Sequence, residues 1–372
     1  MKRILLYIAT LLIVSSCTQA PLESKPLPKR FEEQPIKRDV PNAFFTGSTI
    51  APIQNEVAIT EVVGWFDDNR VLYLVEQEEQ SNLYLYHLLT GETTSFLEVE
   101  GWIMDVRPNA DYSLFAFQHV TLENETHLVV MNDRGEILQT IKDYGEEYVI
   151  YWNPYDLGTF IMVAYLPDWE FDTYVVNVAD AKIKDIFLEQ SYIQWISANQ
   201  VGYLKWEELE PHFQAPLYEV NVDSGDMKKW KDAVIAYMSF PDELSLSVTV
   251  ETVYDLYSTY TFYKEQEPYR QIEMPILNTY SEQWWIPFYS YDDKHGIFYY
   301  LRPKYSSDFF SYTDGYELFA YNVEADAEER LTTVERQVPI SISPEGSFLL
   351  VGERLGNVID IKEGTLVPLL EE

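Results

Sequence analysis

The only cysteine of the chain, Cys17, has the clearest potential for covalent chemistry. A thiol can act as a nucleophile, bind a metal or carry a lipid, and its surroundings decide which. Two basic residues precede the apolar stretch Ile4–Val14, and two small serines directly precede the cysteine. This layout is typical of a secretory signal, and the stretch is too short to span a bilayer. We therefore expect residues 1–16 to be a signal peptide.

The motif Val14-Ser15-Ser16-Cys17 resembles the lipobox of bacterial lipoproteins. The resemblance implies that a diacylglycerol is attached to the Cys17 thiol and that the signal peptide is cleaved just before it. It also implies a protein held by lipid on the extracytoplasmic face of the cell membrane. The alternative is an ordinary signal peptide with a chance cysteine. With Cys17 lipidated, no thiol remains for catalysis or metal binding, and no disulfide can form within the chain.

Motifs of catalytic sites are scarce in the rest of the sequence. It contains no Gly-x-Ser-x-Gly elbow, no phosphate-binding Gly-rich loop and no His-Glu-x-x-His motif. The five histidines are dispersed, and only His119 and His127 flank one predicted loop, which is weak evidence for a metal site. We therefore predict no catalytic residue, no metal site and no cofactor.

Neighbouring carboxylates are the remaining candidates for catalysis. They occur at Asp67-Asp68, Asp292-Asp293 and Glu207-Glu208, and glycosidases need two acids flanking a bond. The chain has 61 acidic residues, however, so such pairs are expected by chance. The first two pairs also fall in predicted short turns, where aspartate is favoured because its side chain bonds to the local backbone.

Aromatic residues are concentrated in several long predicted loops, among acidic residues. Exposed rings beside carboxylates suit a sugar, a peptide or a partner protein, because rings supply contact area and acids supply direction. The alternative is that the rings pack against their own loops. The candidate binding residues are Trp169, Phe171, Trp206, His212, Phe213, Tyr305, Phe309, Phe310 and Tyr312. Tryptophans beside predicted strand starts are instead expected to pack between structural units: Trp65, Trp102, Trp152, Trp195 and Trp285.

Charge and composition restrict the class of partner. The formal net charge is −35, which excludes a nucleic-acid-binding protein because that function needs a basic surface. The acids are dispersed and 47% of the residues are hydrophobic, which indicates a folded chain with a large core. We expect a monomer whose partner is cationic, neutral or bridged by a metal.

Residues 18–41 have the composition of a linker. Five prolines lie among Lys, Glu, Gln and Ser, with no helical or strand periodicity. Such a Pro-rich segment favours extended conformations of about 3.1 Å per residue, so it can hold a domain about 70 Å from a membrane. We therefore assign residues 17–41 to the lipidated cysteine and a flexible linker, and residues 42–372 to a folded domain.

Seven polar turns, each followed by a β-prone apolar run, recur along the folded domain at intervals of about 41 to 52 residues. Examples are Tyr151-Trp152-Asn153-Pro154 before Phe160–Tyr165, and Ser341-Ile342-Ser343-Pro344 before Phe348–Val351. Most units also contain an alternating strand that ends in a Gly or Asp turn, which is typical of hairpins. Four-stranded units at this spacing predict an all-β propeller. A sandwich or an irregular pair of all-β domains is the alternative.

Two of these segments, Ser341–Gly346 and Leu217–Asp223, resemble blades of TolB-like propellers. The lipobox, the linker and the repeats together resemble the YqgU-like propeller lipoproteins of Bacillus-type bacteria. That family is described as six-bladed, whereas direct counting gives seven openings. Either the terminal pieces share one blade or there are seven full blades, and we predict seven. The resemblance implies a cell-surface lipoprotein and supplies no reaction.

Propeller topology places alternate connections on opposite faces. The turns after the first and third strands of each blade lie on one side, here called the short-turn face. Connections after the second strand and between blades lie on the other, the loop-rich face. The long loops are predicted at 76–82, 118–126, 166–172, 205–216 and 302–315. Since binding usually resides in long loops on a rigid scaffold, we predict a non-enzymatic module that binds an envelope protein, peptide or glycan through this face. The alternative is an envelope polysaccharide hydrolase or lyase with carboxylates at the propeller axis.

Overall fold

Four consecutive strands form each of seven antiparallel sheets, and these sheets are the blades of a β-propeller. The computed structural model describes residues 50–54, 59–207, 212–278 and 284–370, all within the unit Pro41–Glu372. In every blade the strands pair in chain order, so no strand is exchanged between blades. The predicted all-β propeller is confirmed, with seven blades within the described residues.

The first four blades occupy the N-terminal part of the domain. Blade 1 contains β1 (Glu61–Trp65), β2 (Arg70–Gln77), β3 (Gln80–His87) and β4 (Thr93–Glu100). Blade 2 contains β5 (Trp102–Pro108), β6 (Leu114–Val120), β7 (Thr126–Asn132) and β8 (Ile137–Ile141). Blade 3 contains β9 (Glu147–Trp152), β10 (Thr159–Tyr165), β11 (Phe171–Asn177) and β12 (Lys182–Ile186). Blade 4 contains β13 (Gln194–Ser197), β14 (Gln200–Leu204), β15 (Ala215–Asn221) and β16 (Met227–Val234).

The remaining blades are interrupted by one small additional sheet. Blade 5 contains β17 (Ala236–Ser239), β18 (Leu244–Thr249), β19 (Tyr257–Lys264) and β20 (Glu267–Pro275). The additional sheet contains β21 (Leu277–Asn278), β22 (Trp284–Trp285) and β25 (Ser307–Asp308). Blade 6 contains β23 (Tyr289–Asp292), β24 (Ile297–Pro303), β26 (Tyr316–Asn322) and β27 (Ala327–Val334). Blade 7 contains β28 (Ile340–Ile342), β29 (Phe348–Val351), β30 (Asn357–Asp360) and β31 (Thr365–Pro368). Short 3₁₀ turns occur at Pro167–Trp169 and Phe309–Ser311.

The second strand of each blade is the most deeply buried. In β10, six of the seven residues are buried, and the strand is apolar at successive positions rather than at alternate ones. This pattern arises because neighbouring blades cover both faces of the sheet. The fourth strands lie at the outside of the ring, and in β27 four consecutive residues are exposed.

Buried polar side chains organise the turns after the first strands. Asn153 is fully buried, and its Oδ1 accepts hydrogen bonds from the backbone N–H groups of Tyr155 and Asp156 at 2.9 and 3.2 Å. Its Nδ2 donates to the carbonyl of Ala198 in the next blade at 3.0 Å. Polar residues are needed there because their side chains supply hydrogen-bond partners for backbone groups of the turn that would otherwise have none. Equivalent buried residues are Asn109, Asp292 and Ser343.

Tryptophan indoles join the first strands of successive blades, as predicted for three of the five positions. In each case the indole N–H donates to a backbone carbonyl of the preceding blade at 2.9 to 3.0 Å. The pairs are Trp65 with Ser341, Trp152 with Arg107, and Trp195 with Tyr151. Trp102 is partly exposed instead, with 38% of its surface accessible. The side chain of Trp285 lies outside the described part.

Blades 1 and 7 close the ring side by side. The hydroxyl of Ser343 donates to Asp68 Oδ1 at 2.5 Å, and the same carboxylate accepts from the backbone N–H of Glu345 at 3.0 Å. The segment 50–53 fills the seam, because the Ala51 and Ile53 amides bond to carbonyls of blades 1 and 7 respectively. A shared terminal blade is therefore not the closing device.

The long loops only partly match the prediction. The expected loop at 76–82 is wrong, because β2 and β3 are joined by residues 78–79 alone, with Glu78 in a left-handed turn conformation at φ 55°. The predicted loops of blades 2, 3, 4 and 6 are present between their second and third strands. Blade 5 adds a loop at 250–256 that the sequence interpretation missed.

The predicted signal peptide, Cys17 and the linker lie outside the described residues, so these assignments stay predictions. Within the residues that the structure describes, no helix has the length and apolar character needed to cross a bilayer.

Candidate functional site

Large exposed apolar side chains are concentrated on the loop-rich face. The most exposed are Trp169, Phe187 and Tyr254, with 85%, 82% and 87% of their surfaces accessible. They belong to the loop of blade 3, the link between blades 3 and 4, and the loop of blade 5. Exposed aromatic residues grouped on one surface of a protein mark an interaction surface.

A cavity of about 430 Å³ opens on this face between blades 4, 5 and 6, and is here called the loop-face pocket. The end of β14, the starts of β13 and β17, and the link that precedes β23 supply its walls. Its lining consists of Tyr192, Gln194, Gly202, Tyr203, Leu204, Trp206, Ile235, Ala236, Tyr237, Met238, Ile286, Pro287, Phe288 and Tyr289. No Asp, Glu, Lys, Arg or His is among them.

Gly202 allows one wall of the loop-face pocket to form. A Cβ atom at this position would lie 2.9 Å from Ile196 Cδ1 and 3.1 Å from the Tyr237 ring. The absence of a side chain therefore lets the Tyr237 ring lie directly against β14. In the same wall Trp206 extends past the end of β14 and is 40% exposed.

The phenols of the loop-face pocket stay uncharged near neutral pH. Burial raises the pKa of Tyr237 and of Tyr289 far above that of a free tyrosine. The nearby phenol of Tyr192 raises the pKa of Tyr289 further. The Gln194 amide donates to Tyr192 Oη at 3.4 Å, so these two polar groups of the pocket are already hydrogen-bonded to each other. The pocket is therefore an uncharged, mainly aromatic hollow.

Charges begin at the rim of the pocket. Lys205, next to Trp206 in the chain, forms an ion pair with Glu189 at 2.5 Å. Its ammonium also lies 5.6 Å from the centre of the Tyr218 ring. The lysine charge is thereby neutralised locally, while Glu207 on the other side of Trp206 adds a carboxylate.

The predicted binding residues are divided among three blades of the loop-rich face. Only Trp206 lines the loop-face pocket. Trp169 is exposed at the end of its 3₁₀ turn, and Phe310 is 68% exposed in the loop of blade 6. His212 is exposed and Tyr305 is 47% exposed.

Four other predicted residues pack against the protein. Phe171 lies 6.1 Å from the Tyr165 ring, and Phe213 and Phe309 pack against apolar clusters of the core. Tyr312 is buried, and its hydroxyl accepts from the Lys304 N–H at 2.8 Å and donates to the Gly315 carbonyl at 2.7 Å. Tyr312 thus holds the loop of blade 6 together, while Tyr305 packs against it at 5.2 Å.

A larger cavity of about 720 Å³ lies at the short-turn face, where the first strands of blades 2, 3 and 5 to 7 end. Its lining includes the carboxylates of Asp111, Asp292, Asp293 and Glu345. Three of them are engaged: Asp292 Oδ2 lies 2.8 Å from His295 Nδ1, Glu345 pairs with Lys294, and Asp111 Oδ1 accepts from the Ser113 hydroxyl at 2.6 Å. Burial raises the pKa of Tyr112 and of Tyr291 to about 12, and the charge of Asp293 adds to both shifts.

The neighbouring carboxylates singled out in the sequence serve as turn residues. Asp67 Oδ1 accepts from the backbone N–H groups of Asn69 and Arg70 at 2.9 and 2.8 Å. Asp68 closes the ring, and Asp292 organises the turn of blade 6. Glu208 lies outside the described residues.

Two carboxylates with a raised pKa lie apart from both cavities. For Glu61 in β1, burial is the main cause of the raised pKa, and the charge of Glu76 raises it further. Burial also raises the pKa of Glu219 in β15, where Gln266 Nε2 donates to its Oε1 at 2.7 Å. The two residues belong to blades 1 and 4, so the raised values do not identify a catalytic pair.

Two other side-chain groups have a local structural role. Ser247 Oγ lies 3.1 Å from Lys231 Nζ and 3.2 Å from Tyr263 Oη, a combination known from nucleophilic sites. Ser247 is fully buried, however, and the group joins β16 of blade 4 to blade 5. His119 and His127 are cross-strand neighbours with ring centres 6.0 Å apart, and His119 Nε2 lies 2.7 Å from the Glu100 carbonyl.

The sequence interpretation missed most of the loop-face pocket. Tyr192, Ile286 and Phe288 lie in links between blades, whereas the search for aromatic residues followed only the loops within blades. A scan of those links for aromatic residues would have found Tyr192 and Phe288. Their convergence with Trp206 depends on how blades 4, 5 and 6 pack, which no local pattern encodes.

Comparisons with known proteins agree with this architecture. The model of the YqgU-like 6-bladed beta propeller domain matches residues 87–352. The uncharacterized lipoprotein YqgU of Bacillus subtilis (strain 168) is 30% identical over 306 residues, which cover 80% of this chain and 81% of that protein. The uncharacterized protein lmo1340 of Listeria monocytogenes EGD-e has a TM-score of 0.77 at 16% identity, covering 87% of this chain and 98% of that one. The oligogalacturonate lyase of Vibrio parahaemolyticus has a TM-score of 0.55 at 14% identity, covering 81% and 90%. At these identities the two solved structures show the fold alone.

The matched segment begins at the last residue of β3 and ends just after β29, so it includes blades 2 to 6 completely and blades 1 and 7 in part. The family description names six blades, whereas seven four-stranded sheets are present in the described part of this chain. The extent of the family match and the 30% identity to this lipoprotein give one conclusion. The chain belongs to the YqgU-like β-propeller family.

Proposed function

We propose that this protein is a lipid-anchored binding module that recognises an envelope component through the loop-rich face of its propeller, on the extracytoplasmic side of the membrane. The observation that carries the proposal is the loop-face pocket, an uncharged aromatic hollow surrounded by exposed rings. A rigid scaffold with its exposed apolar residues on one loop face is a common arrangement for recognition.

Membrane anchoring is supported by two independent features. The relative in Bacillus subtilis is a lipoprotein, and the lipobox-like motif places a cysteine directly after the apolar stretch. A single lipid chain binds membranes reversibly, whereas the two acyl chains of a diacylglycerol give stable anchoring. Because a lipobox belongs to exported proteins, the propeller is assigned to the extracytoplasmic side.

The alternative of a polysaccharide hydrolase or lyase has less support. Such a reaction needs two carboxylates on either side of the scissile bond, and no described residue that lines the loop-face pocket supplies one. The acids of the short-turn cavity include Asp292 and Glu345, which are bound to His295 and Lys294. The lyase among the structural neighbours shares the fold at 14% identity, which does not transfer its reaction.

In-cell photo-crosslinking tests the proposed function. A photoreactive amino acid is placed at Trp169 or Phe310 on the loop-rich face, and at the exposed Leu138 of the outer strand β8 as a matched control. We expect one envelope component to be captured from both loop-face positions and not from position 138. Equal capture from all three positions, or capture from position 138 alone, would contradict the proposal.

A further inference from the structure

We infer that the loop-face pocket accepts one aromatic or branched aliphatic side chain of a partner polypeptide, and that lysine or arginine flanks this side chain. This inference rests on the proposed function and specifies the chemistry of the partner. It is carried by the size of the pocket, by its lining and by the charge around it.

The size of the pocket is sufficient for one large side chain. Its volume of about 430 Å³ lies within the range of about 300–1,000 Å³ for sites of drug-sized ligands. Walls on three blades line the hollow, so a large side chain inserted into it contacts rings on several sides. Burying such a side chain removes a large apolar area from water, as anchor residues at protein interfaces do.

The lining disfavours a sugar. Saccharides present many hydroxyls, and each one buried without a partner loses the hydrogen bonds that it makes to water. The pocket supplies only a few polar side chains: the Gln194 amide, which already bonds to Tyr192, and the phenols of Tyr192, Tyr203, Tyr237 and Tyr289. Tyr203 Oη in turn lies 3.4 Å from Met227 Sδ. The remaining walls are apolar, so an apolar group matches them better than a glycan.

The charge around the pocket selects the flanking residues of the partner. The chain carries a formal net charge of −35, and the Lys205 charge at the rim is already paired with Glu189. Glu207 follows Trp206 directly. An acidic surface of this kind attracts basic segments and repels acidic ones, including anionic lipid head groups. The occupant is therefore a basic polypeptide segment with one apolar anchor.

Three fluorescein-labelled probes test this inference by fluorescence anisotropy with the purified lipoprotein in detergent. They are the peptides acetyl-Lys-Trp-Lys-amide and acetyl-Glu-Trp-Glu-amide, extended by the label, and chitotetraose. We expect saturable binding of the lysine peptide, at least tenfold weaker binding of the glutamate peptide, and weaker binding still of the sugar. No saturable binding of the lysine peptide, or tighter binding of either other probe, would overturn the inference.

Two pocket variants and one matched control locate the binding. Ala236→Leu fills the hollow from β17, and Trp206→Ala removes one wall. Each should lower affinity for the lysine peptide about tenfold, which is the loss expected for one large buried side chain. Leu138→Ala removes an exposed side chain of the outer strand β8 and should leave peptide affinity unchanged. Thermal unfolding verifies that each variant is folded.

The two pocket variants, together with Trp169→Ala on the same face, separate this inference from the proposed function. If Trp169→Ala abolishes envelope capture while Ala236→Leu and Trp206→Ala leave capture and peptide binding unchanged, the loop-rich face still binds and the pocket assignment is wrong. If no loop-face position captures a component, the proposed function is wrong.

Discussion

Single residues in this propeller take their roles from burial rather than from type. Trp195 and Trp169 have the same side chain, yet Trp195 is buried and donates its indole N–H to the preceding blade, whereas Trp169 is 85% exposed. Asp292 is buried because its carboxylate replaces backbone hydrogen bonds of a turn, while Asp293 beside it is exposed. Residue type alone therefore gives a poor guide to function in this chain.

Glu219 offers a test at the residue scale. Its pKa is raised mainly by burial, with Lys228 and the Gln266 hydrogen bond counteracting the shift. Because the folded protein binds this proton more tightly than the unfolded chain, ionisation of Glu219 destabilises the fold. This loss of unfolding free energy is fully present above the pKa that Glu219 has in the folded protein. It disappears as the pH falls below the ordinary pKa of 4.5. Glu219→Gln should therefore raise the unfolding temperature at pH 7 and have a much smaller effect at pH 4.

A carboxylate with the opposite shift serves as the control. The pKa of Glu324 is lowered, first by its hydrogen bond with Lys264 and then by that with Tyr269. Glu324→Gln should therefore slightly lower the unfolding temperature at pH 7, and this difference should vanish as the pH falls through the lowered pKa. A Glu219→Gln effect that is independent of pH would contradict the assignment of burial as its cause.

At the scale of elements, the important contacts are those between blades. Each blade is a sheet covered on both sides by its neighbours, so the seam between blades 1 and 7 must be as well packed as the others. That seam combines the Trp65 indole, the Ser343–Asp68 hydrogen bond and the segment 50–53. Contacts between side chains and one terminal segment thus close the ring in place of the shared terminal blade of the six-blade alternative.

Ser343→Ala should weaken this closure. The hydroxyl donates to Asp68 and accepts from the backbone N–H groups of Ser347 and Phe348, so its loss leaves buried groups unpaired. We expect a decrease of about 1–3 kcal/mol in the free energy of unfolding, measured by urea denaturation. Ser95→Ala, which removes an exposed hydroxyl from the outer strand β4, should cost less than about 0.5 kcal/mol. Equal costs for both variants would show that the seam contact has no special role.

At the scale of the whole molecule, a strongly acidic propeller presents most of its large exposed aromatic residues on one face. We expect this charge to disfavour nucleic acid, and under the proposed function it favours basic segments as partners. The short-turn face contains a cavity of about 720 Å³, whose lining includes the turn residues Asn109, Asp292 and Ser343.

Cys17→Ser tests the anchor of the whole molecule. Removing the thiol abolishes the proposed attachment of lipid, and Cys17 lies before the propeller in the chain. We expect the variant to move from the membrane fraction to the soluble fraction, with an unchanged unfolding temperature. Fractionation of cells and metabolic labelling with palmitate measure this. Retention of label or of membrane association in the variant would contradict the lipobox assignment.

The repeating openings allowed the propeller to be predicted because each opening is a local signal. Asn153, Asp292 and Ser343 stand in turns whose backbone needs a polar side chain, and an apolar run follows each turn. The loop at 76–82 was predicted wrongly because its polar residues lie in strands with exposed ends rather than in a loop. Local composition does not separate these two cases.

The sequence by itself determined the strand repeat, the excess of acids and the lipobox-like motif, because each depends on residues that are close together in the chain. Only the tertiary structure decided that Tyr192, Trp206 and Phe288 share one pocket, and that Tyr312 supports a loop instead of facing solvent. The pocket joins residues from three blades that are far apart in sequence. Their proximity follows from the packing of blades around the ring, and that packing is not encoded in any single segment.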